Sequence, residues 1–577
     1  MNSPATFIAT LTALFFFTSC ASQEVLPPTP EPIWSQTLER PLQFHSLVDS
    51  HVLIAGTGRH LYAFDPQTGT QRWRERNVNP ARQDIYRVND SSMLLVTDAG
   101  GGAFDDADTH LLAINADDGL LMWESPRLEG KVMQGVLTED GGTVYVTAVG
   151  EAHGDDRGLL STPISGKGFG SGVFREPHLL SLDLKSGEIV WRATFGRKVR
   201  MQPAPGAVTG SERPFDLGNY HRPQIFDRLL CVTYLGIKCM NRFTGETVWE
   251  RKFPVVEDEL ALSYAQSVVT GAVLYATGDN HVYALDLQTG DRLWRSAKAN
   301  VLPELLVDSE IVFSQLGGRF FHLGKERWIW KGEFGVMAVH RDTGKTRWRF
   351  DKAKGAITNL HLEGDQLWFA DENRLYSLDK RTGERLVRKK HQMKEAPAFT
   401  VINKHGQLVL ISDDEVTAFD RIGQQLWSIH HPAPGPGAWK RASSRLFQLS
   451  GNLLRITSMA VSMTSGLIPS VPIGGVSIIS GKSVVKAATR RAGNQLTETG
   501  ERMADEEDYA ALEDSYQYFL TTHKGDERIY LATVDINIGR TVGLTPLPSD
   551  SSEIVIDDDR GTLLQAEGTS LTSLPIR

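Results

Sequence analysis

Apolar and polar residues alternate in short runs along this chain, and one such run is written many times over. From His281 to Trp294 it reads HVYALDLQTGDRLW. Val282, Ala284 and Asp286 fall on one face of a strand, and Tyr283, Leu285 and Leu287 on the other. Gln288, Thr289 and Gly290 turn the chain, Gly290 being free to take positive φ, and Leu293 and Trp294 return on the next strand. The run recurs as HLYAFDPQTGTQRW from His60, HLLAINADDGLLMW from His110 and HLLSLDLKSGEIVW from His178. It continues as GIKCMNRFTGETVW from Gly236, GVMAVHRDTGKTRW from Gly335 and RLYSLDKRTGERLV from Arg374. An eighth copy, EVTAFDRIGQQLW from Glu415, is one residue short before Gly423. A fixed repeat of strand–turn–strand units predicts a radial or linear β array.

The aspartate-equivalent positions 65, 115, 183, 241, 286, 340, 379 and 420 are separated by 50, 68, 58, 45, 54, 39 and 41 residues. That is one four-stranded propeller blade, about 40–45 residues, plus loop insertions. An apolar strand precedes each hairpin, as at Val52–Ala55, Thr143–Val149 and Ile311–Gln315. The recurring Trp73, Trp123, Trp191, Trp249, Trp294, Trp348 and Trp427 are large apolar plates suited to packing between blades. The turn glycines Gly69, Gly119, Gly187, Gly245, Gly290, Gly344 and Gly383 recur with them. Only the seventh copy replaces the tryptophan, with Val387.

The pattern LYALD-x-x-TG-x-x-x-W resembles the repeat of pyrroloquinoline-quinone (PQQ)-type propellers. The resemblance is good over residues 33–430 and weak over 515–577. It implies an all-β, PQQ-like β-propeller of about eight four-stranded blades, the usual number for such repeats; a literal hairpin count allows nine or ten. That superfamily holds quinoprotein dehydrogenases and non-enzymatic members such as BamB, a lipoprotein of the outer-membrane barrel-assembly machinery. One fold carries many activities, so the resemblance speaks to architecture first.

The ends bear on the blade count. PIWSQTLERP, around Trp34, reads as the Trp strand of a unit lacking its first half. Arg528–Leu547 is a degenerate ninth copy, and Thr562–Ile576 reads as opening strands without a Trp strand. Terminal strands sharing one blade would close the ring and leave no open edge.

Ahead of this fold, residues 1–19 read as an export signal. The apolar run Phe7–Phe17 is too short to span a bilayer. Thr18-Ser19-Cys20 resembles the cleavage box of bacterial lipoproteins, with Cys20 the lipidated residue, although no Lys or Arg precedes it and Phe17 stands where Leu is usual. Ala21 resembles the pattern for outer-membrane retention. Residues 20–32 form a Pro-rich tether, residues 33–431 the main propeller repeats and 516–577 the closing strands. The expected location is the outer membrane facing the periplasm, lipid-anchored.

Residues 432–515 interrupt the repeats. Ile456–Gly481 contains no charged residue but is broken by Pro469, Pro472 and several glycines, against a membrane span. The flanks carry helical spacing, so a partly helical insertion with an apolar tip is expected, either against a membrane or partner or folded over the propeller. Gly318–Glu333 places Trp328 and Trp330 beside Lys325, Arg327 and Lys331 on what reads as a loop. Gly150–Pro177 reads as a second, Gly-rich loop. Cys231 and Cys239 lie on consecutive strands, which leaves open a disulfide or two buried thiols.

Chemistry is sparse. With 61 Lys and Arg against 70 Asp and Glu, the net charge of −9 gives no nucleic-acid signal. The quinoprotein members share adjacent cysteines and a calcium-bound Glu/Asn/Asp set; this chain has no adjacent cysteine pair, and no such set can be placed. Asp105-Asp106-Ala107-Asp108, Asp155-Asp156 and Asp557-Asp558-Asp559 lack calcium-loop spacing. His60, His110, His178 and His281 share a repeat position and read as structural; His430-His431 stands alone. No catalytic, cofactor or metal residue is assigned and no cofactor is expected. The expected role is a monomeric, non-enzymatic envelope scaffold that binds envelope proteins, with barrel-assembly partners by resemblance. The alternatives are a PQQ-dependent dehydrogenase-like enzyme and a surface adhesin or polysaccharide binder.

Overall fold

The computed structural model describes residues 30–576 apart from 101–109, 151–173, 201–222, 433–476, 479–515 and short loop segments. Every regular element among the described residues is a strand. They form ten sheets, the blades of a ten-bladed β-propeller. Blade 1 is Leu42–Val48, Val52–Thr57, His60–Phe64 and Gln71–Arg76. Blade 2 runs from Pro80–Arg87 to Leu121–Glu124, blade 3 from Lys131–Leu137 to Ile189–Thr194, and blade 4 from Gln224–Phe226 to Thr247–Lys252. Blade 5 runs from Val268–Thr270 to Arg292–Arg295, blade 6 from Leu305–Val307 to Thr346–Ala353, blade 7 from His361–Glu363 to Arg385–Lys390, and blade 8 from Phe399–Ile402 to Gln425–His430.

The blade count is therefore ten, the upper end of the range that the hairpin count allows. The last two blades come from the degenerate ends, where blade 9 lacks the repeat's Trp and blade 10 takes its Trp34 from the far end of the chain. Blade 9 is built from Ser477–Ile478, Tyr516–Thr522, Ile529–Asp535 and Arg540–Pro546. Blade 10 takes Glu553–Asp557, Thr562–Glu567 and Ser570–Pro575 from the end of the chain and Trp34–Thr37 from its start. Trp34 pairs with Ser573 and Thr37 with Ser570, antiparallel. The ring is thus closed by strands more than 500 residues apart.

Two expectations for the interruptions change. Gly318–Glu333 is not a loop: Ile311–His322 and Arg327–His340 form one long hairpin, joined by Glu259–Ala261 as a third strand. The expected helical insertion lies almost wholly outside the described residues; its described part, Ser477–Ile478, is a strand that pairs with Tyr518 and Phe519.

The core is a ring of seams rather than one centre. Apolar residues of each blade pack on those of the next, as Tyr275, Val282, Ala284 and Trp294 of blade 5 do on Val312, Met337 and Val339 of blade 6. The closing seam joins Trp34, Leu564 and Leu571 of blade 10 to Leu53, Ala55, Tyr62 and Phe64 of blade 1. Buried polar side chains add ties at these seams. Gln224 Nε2 donates to Ser267 O at 2.9 Å, Gln315 Nε2 to Ile357 O at 2.7 Å, and Asn359 exchanges two bonds with the Thr400 backbone. A buried amide bonded across the seam fixes one relative placement of the two blades.

Candidate functional site: the blade seams and the outer rim

The recurring Asp, Gly and Trp build one device. In blade 5, Asp286 Oδ1 accepts from the amides of Gln288 and Thr289 at 3.0 and 2.8 Å, and Gly290 N donates to Asp286 O at 2.9 Å. Gly290 sits at φ 72°, where a side chain is disfavoured. A Cβ there would also lie 2.5 Å from the Trp249 ring of blade 4. The indole rests on the bare glycine and donates to Leu287 O at 2.9 Å. Trp34, Trp73, Trp123, Trp191, Trp294 and Trp348 make the same bond to Pro66, Ala116, Leu184, Arg242, Arg341 and Lys380. Their glycine partners are Gly69, Gly119, Gly187, Gly245, Gly344 and Gly383. Each turn aspartate is therefore committed to holding its own turn. At Asp183 the Ser186 hydroxyl and amide hold the carboxyl below its ordinary pKa.

Two departures from the repeat have a shared physical cause. In the eighth copy the turn is one residue shorter, and Gly423 N bonds to Asp420 O three residues back rather than four. The turn that meets Val387 thus differs from the one that receives an indole elsewhere. Val387 has no N–H to place, and a Cβ on Gly423 would lie 2.6 Å from it. In the ninth copy the tryptophan slot is Gly543. Its neighbour, blade 10, has no turn between its last two strands, because those strands come from opposite ends of the chain. The carbonyl of Ile576 fills the slot instead, 2.2 Å from where a Gly543 Cβ would stand.

The repeat also explains the apolar outer rim. In each copy a β-bulge adds one residue just before the tryptophan position, as where Ala284 pairs with Trp294 but Leu285 pairs with Arg292. The extra residue is turned outward. Met122, Val190, Val248, Leu293, Leu386, Leu426 and Val542 occupy this position and are 40–57% exposed. Sequence alternation alone does not show this, because a bulge breaks the two-residue period; the signal available is the large apolar residue just before five of the seven repeat tryptophans, Arg72 and Arg347 standing before the other two.

The remaining candidates fall as follows. Cys231 and Cys239 are direct cross-strand partners in blade 4, bridged as a disulfide with Cα atoms 4.1 Å apart and both side chains buried. His110 Nδ1 and His281 Nδ1 lie 3.0 and 2.9 Å from the carbonyls of Ser125 and Ser296, a structural placement at the start of the hairpin strand. His430 lies 3.1 Å from Asp414 Oδ2, and His431 Nε2 lies 2.9 Å from Thr541 Oγ1 of blade 9. Burial and the neighbouring His430 push the His431 pKa down to about 4. Asp557 is held by Arg560 at 2.7 Å. Cys20, the export signal, residues 105–108 and residues 155–156 lie outside the described residues. Among the described residues no group of three or more His, Cys, Asp or Glu is arranged to hold a metal ion. No helix there is long and apolar enough to cross a membrane.

A closed ring of blades, most of its seams built Trp on Gly, defines the class: a PQQ-like β-propeller repeat protein. The chain belongs to the sequence family described as outer membrane protein assembly factor BamB, which matches residues 23–165, 175–323 and 332–567. BamB of Burkholderia pseudomallei (strain K96243) is 23% identical over 326 residues, covering 50% of this chain and 78% of that protein. A quinoprotein ethanol dehydrogenase of Pseudomonas putida is 29% identical over 136 residues, 21% of this chain and only 22% of the enzyme. Among solved structures, BamB from Moraxella catarrhalis covers 68% of this chain and 98% of its own at 16% identity and TM-score 0.33. A quinohemoprotein alcohol dehydrogenase from Comamonas testosteroni covers 77% and 83% at 12% identity and TM-score 0.33.

Proposed function

We propose that this propeller is a non-enzymatic, lipid-anchored envelope scaffold that binds proteins at the outer membrane, acting in outer-membrane protein assembly. The observation that carries this reading is the family match, which runs along nearly the whole chain. The residue chemistry agrees with it. The repeated aspartates, histidines and tryptophans are committed to turns and seams, and the two cysteines are consumed in a bridge on one blade rather than adjacent in the chain. Cys20 is the proposed lipid attachment, with residues 20–32 as tether and the periplasm as the compartment. A bridge at Cys231 and Cys239 suits an oxidising compartment.

The competing reading is a quinoprotein dehydrogenase, and it makes a direct test. The full chain is incubated with PQQ and Ca²⁺, and quinone absorbance and dye-linked oxidation of alcohols and sugars are followed. The scaffold reading expects neither bound quinone nor turnover. Stoichiometric quinone with substrate oxidation would overturn it.

A further inference from the structure

We propose that the outer edge of blade 7, the strand Arg385–Lys390, is a docking strand for an extended acidic segment of a partner protein. The inference deepens the scaffold reading and rests on it. Arg385–Lys390 is the last strand of its sheet, so one side of its backbone faces no further strand. Four of its six residues are cationic, in RLVRKK, and Arg385, Arg388, Lys389 and Lys390 are exposed. Lys352 and Lys354, at the end of blade 6, and Lys394, just after blade 7, are exposed as well. The chain as a whole is acidic at −9; here the exposed carboxylates of Asp351, Glu372, Glu384 and Glu395 are outnumbered by the cations, so the rim keeps a positive excess.

Blades 1 and 6 neutralise outer cations of their own. Arg72 pairs with Asp65 at 2.9 Å, Arg74 with Glu39 at 2.7 Å, Arg347 with Glu310 at 3.5 Å, and Arg349 with Glu333 at 2.6 Å. Among the described residues, none of the four blade 7 cations takes part in such an ion pair. Lys390 is instead the direct cross-strand partner of Arg374, and like charges at opposed strand positions are destabilising. The carboxylate of Asp371, in the turn leading to Arg374, is already filled by the amides of Lys354, Asn373 and Arg374 and by the Tyr376 hydroxyl. The fold gains nothing from this arrangement that blades 1 and 6 do not achieve with paired charges.

An extended acidic segment uses both features. It would add a strand to the open edge through main-chain hydrogen bonds, with carboxylates set against the arginines and lysines. Leu386, turned outward by the bulge and 49% exposed, gives it one apolar contact. Lysines on an edge also deter pairing with apolar strands, so the same charges select an acidic partner over an apolar one.

The test uses the full chain and a fluorescein-labelled peptide of alternating Glu and Thr, read by anisotropy. Controls are the same peptide with Gln for Glu, the Glu peptide with alternate Pro, and phosphatidylglycerol vesicles. The variant is K354E/K390E, whose side chains are exposed; R292E/R295E makes an equal charge change on the outer strand of blade 5. The proposal expects saltable binding of the Glu peptide, weakened roughly tenfold in K354E/K390E and unchanged in R292E/R295E. The Gln and Pro peptides should bind poorly. Equal binding by the Pro peptide, equal loss in R292E/R295E, or binding of vesicles but not of peptide would each overturn it. If wild-type protein still crosslinks to envelope proteins while the peptide does not bind, the docking strand is wrong and the scaffold reading stands. If it crosslinks to none, the scaffold reading itself fails.

Discussion

The seam between blades 4 and 5 and the seam between blades 9 and 10 do the same job with different parts. In the first, Trp249 lies on Gly290 and bonds to Leu287 O. In the second, Gly543 stands where the tryptophan would be and the Ile576 carbonyl occupies the space. The difference follows from how blade 10 is built, with Trp34–Thr37 paired to a strand distant in sequence, Ser570–Pro575. A tryptophan needs a turn on the next blade to rest on, and blade 10 is assembled from both ends of the chain without that turn. Loss of the repeat's signature residue is thus a consequence of closure, not of a decayed blade.

Breaking a regular seam should have the largest effect. Trp294→Ala removes a buried indole and its bond to Arg341 O, and should cost about 3–5 kcal/mol, read as a lower denaturant midpoint. Writing the missing residue back at the closing seam should harm rather than help. Gly543→Trp collides with Ile576, should cost on the order of 3 kcal/mol, and should make the strand Ser570–Pro575 accessible to protease. A more stable Gly543→Trp protein would mean the slot was merely degenerate. The Cys231–Cys239 bridge closes a short loop inside a regular blade, so the double Cys→Ser variant should lose about 2 kcal/mol, an effect reproduced in wild type by reduction under partly denaturing conditions.

The smallest expected effect lies at the seam of blades 8 and 9. His431 has its folded pKa lowered to about 4 from an ordinary 6.5. Below the ordinary value the unfolded chain binds a proton that the folded chain does not. Stability from this group is fully present above about pH 6.5 and is lost as pH falls from there toward about 4. The denaturation midpoint should drop across that window, and His431→Gln should flatten the drop. An unchanged slope in the variant would show that His431 does not sense the seam.

Much of the ring was legible in the sequence because the repeat couples local and tertiary needs. Asp286 and Gly290 specify a turn, and Trp294 specifies what lies across the seam, so one motif carried both. The blade count was legible only as a range, because the evidence for blades 9 and 10 is the absence of Trp at Gly543 and a strand, Trp34–Thr37, separated from its sheet by the whole chain. The bulge that turns Leu293 and Leu386 outward was hidden, since it breaks the alternation used to read strands. The distal part of the long hairpin, Gly318–Glu333, read as a loop because Gly317, Gly318 and Gly332 interrupt its apolar pattern. No position of the repeat announces chemistry, and the candidate surface at blade 7 emerges only when its charges are compared with the paired charges of blades 1 and 6.

Mass spectrometry of crosslinked protein purified from membranes tests the central claim most directly, because it reads the modification of Cys20 and the partners together. The account predicts an acylated Cys20 and crosslinks from the propeller rim to barrel-assembly proteins. An unmodified Cys20 and a chain crosslinked to no envelope protein would contradict it.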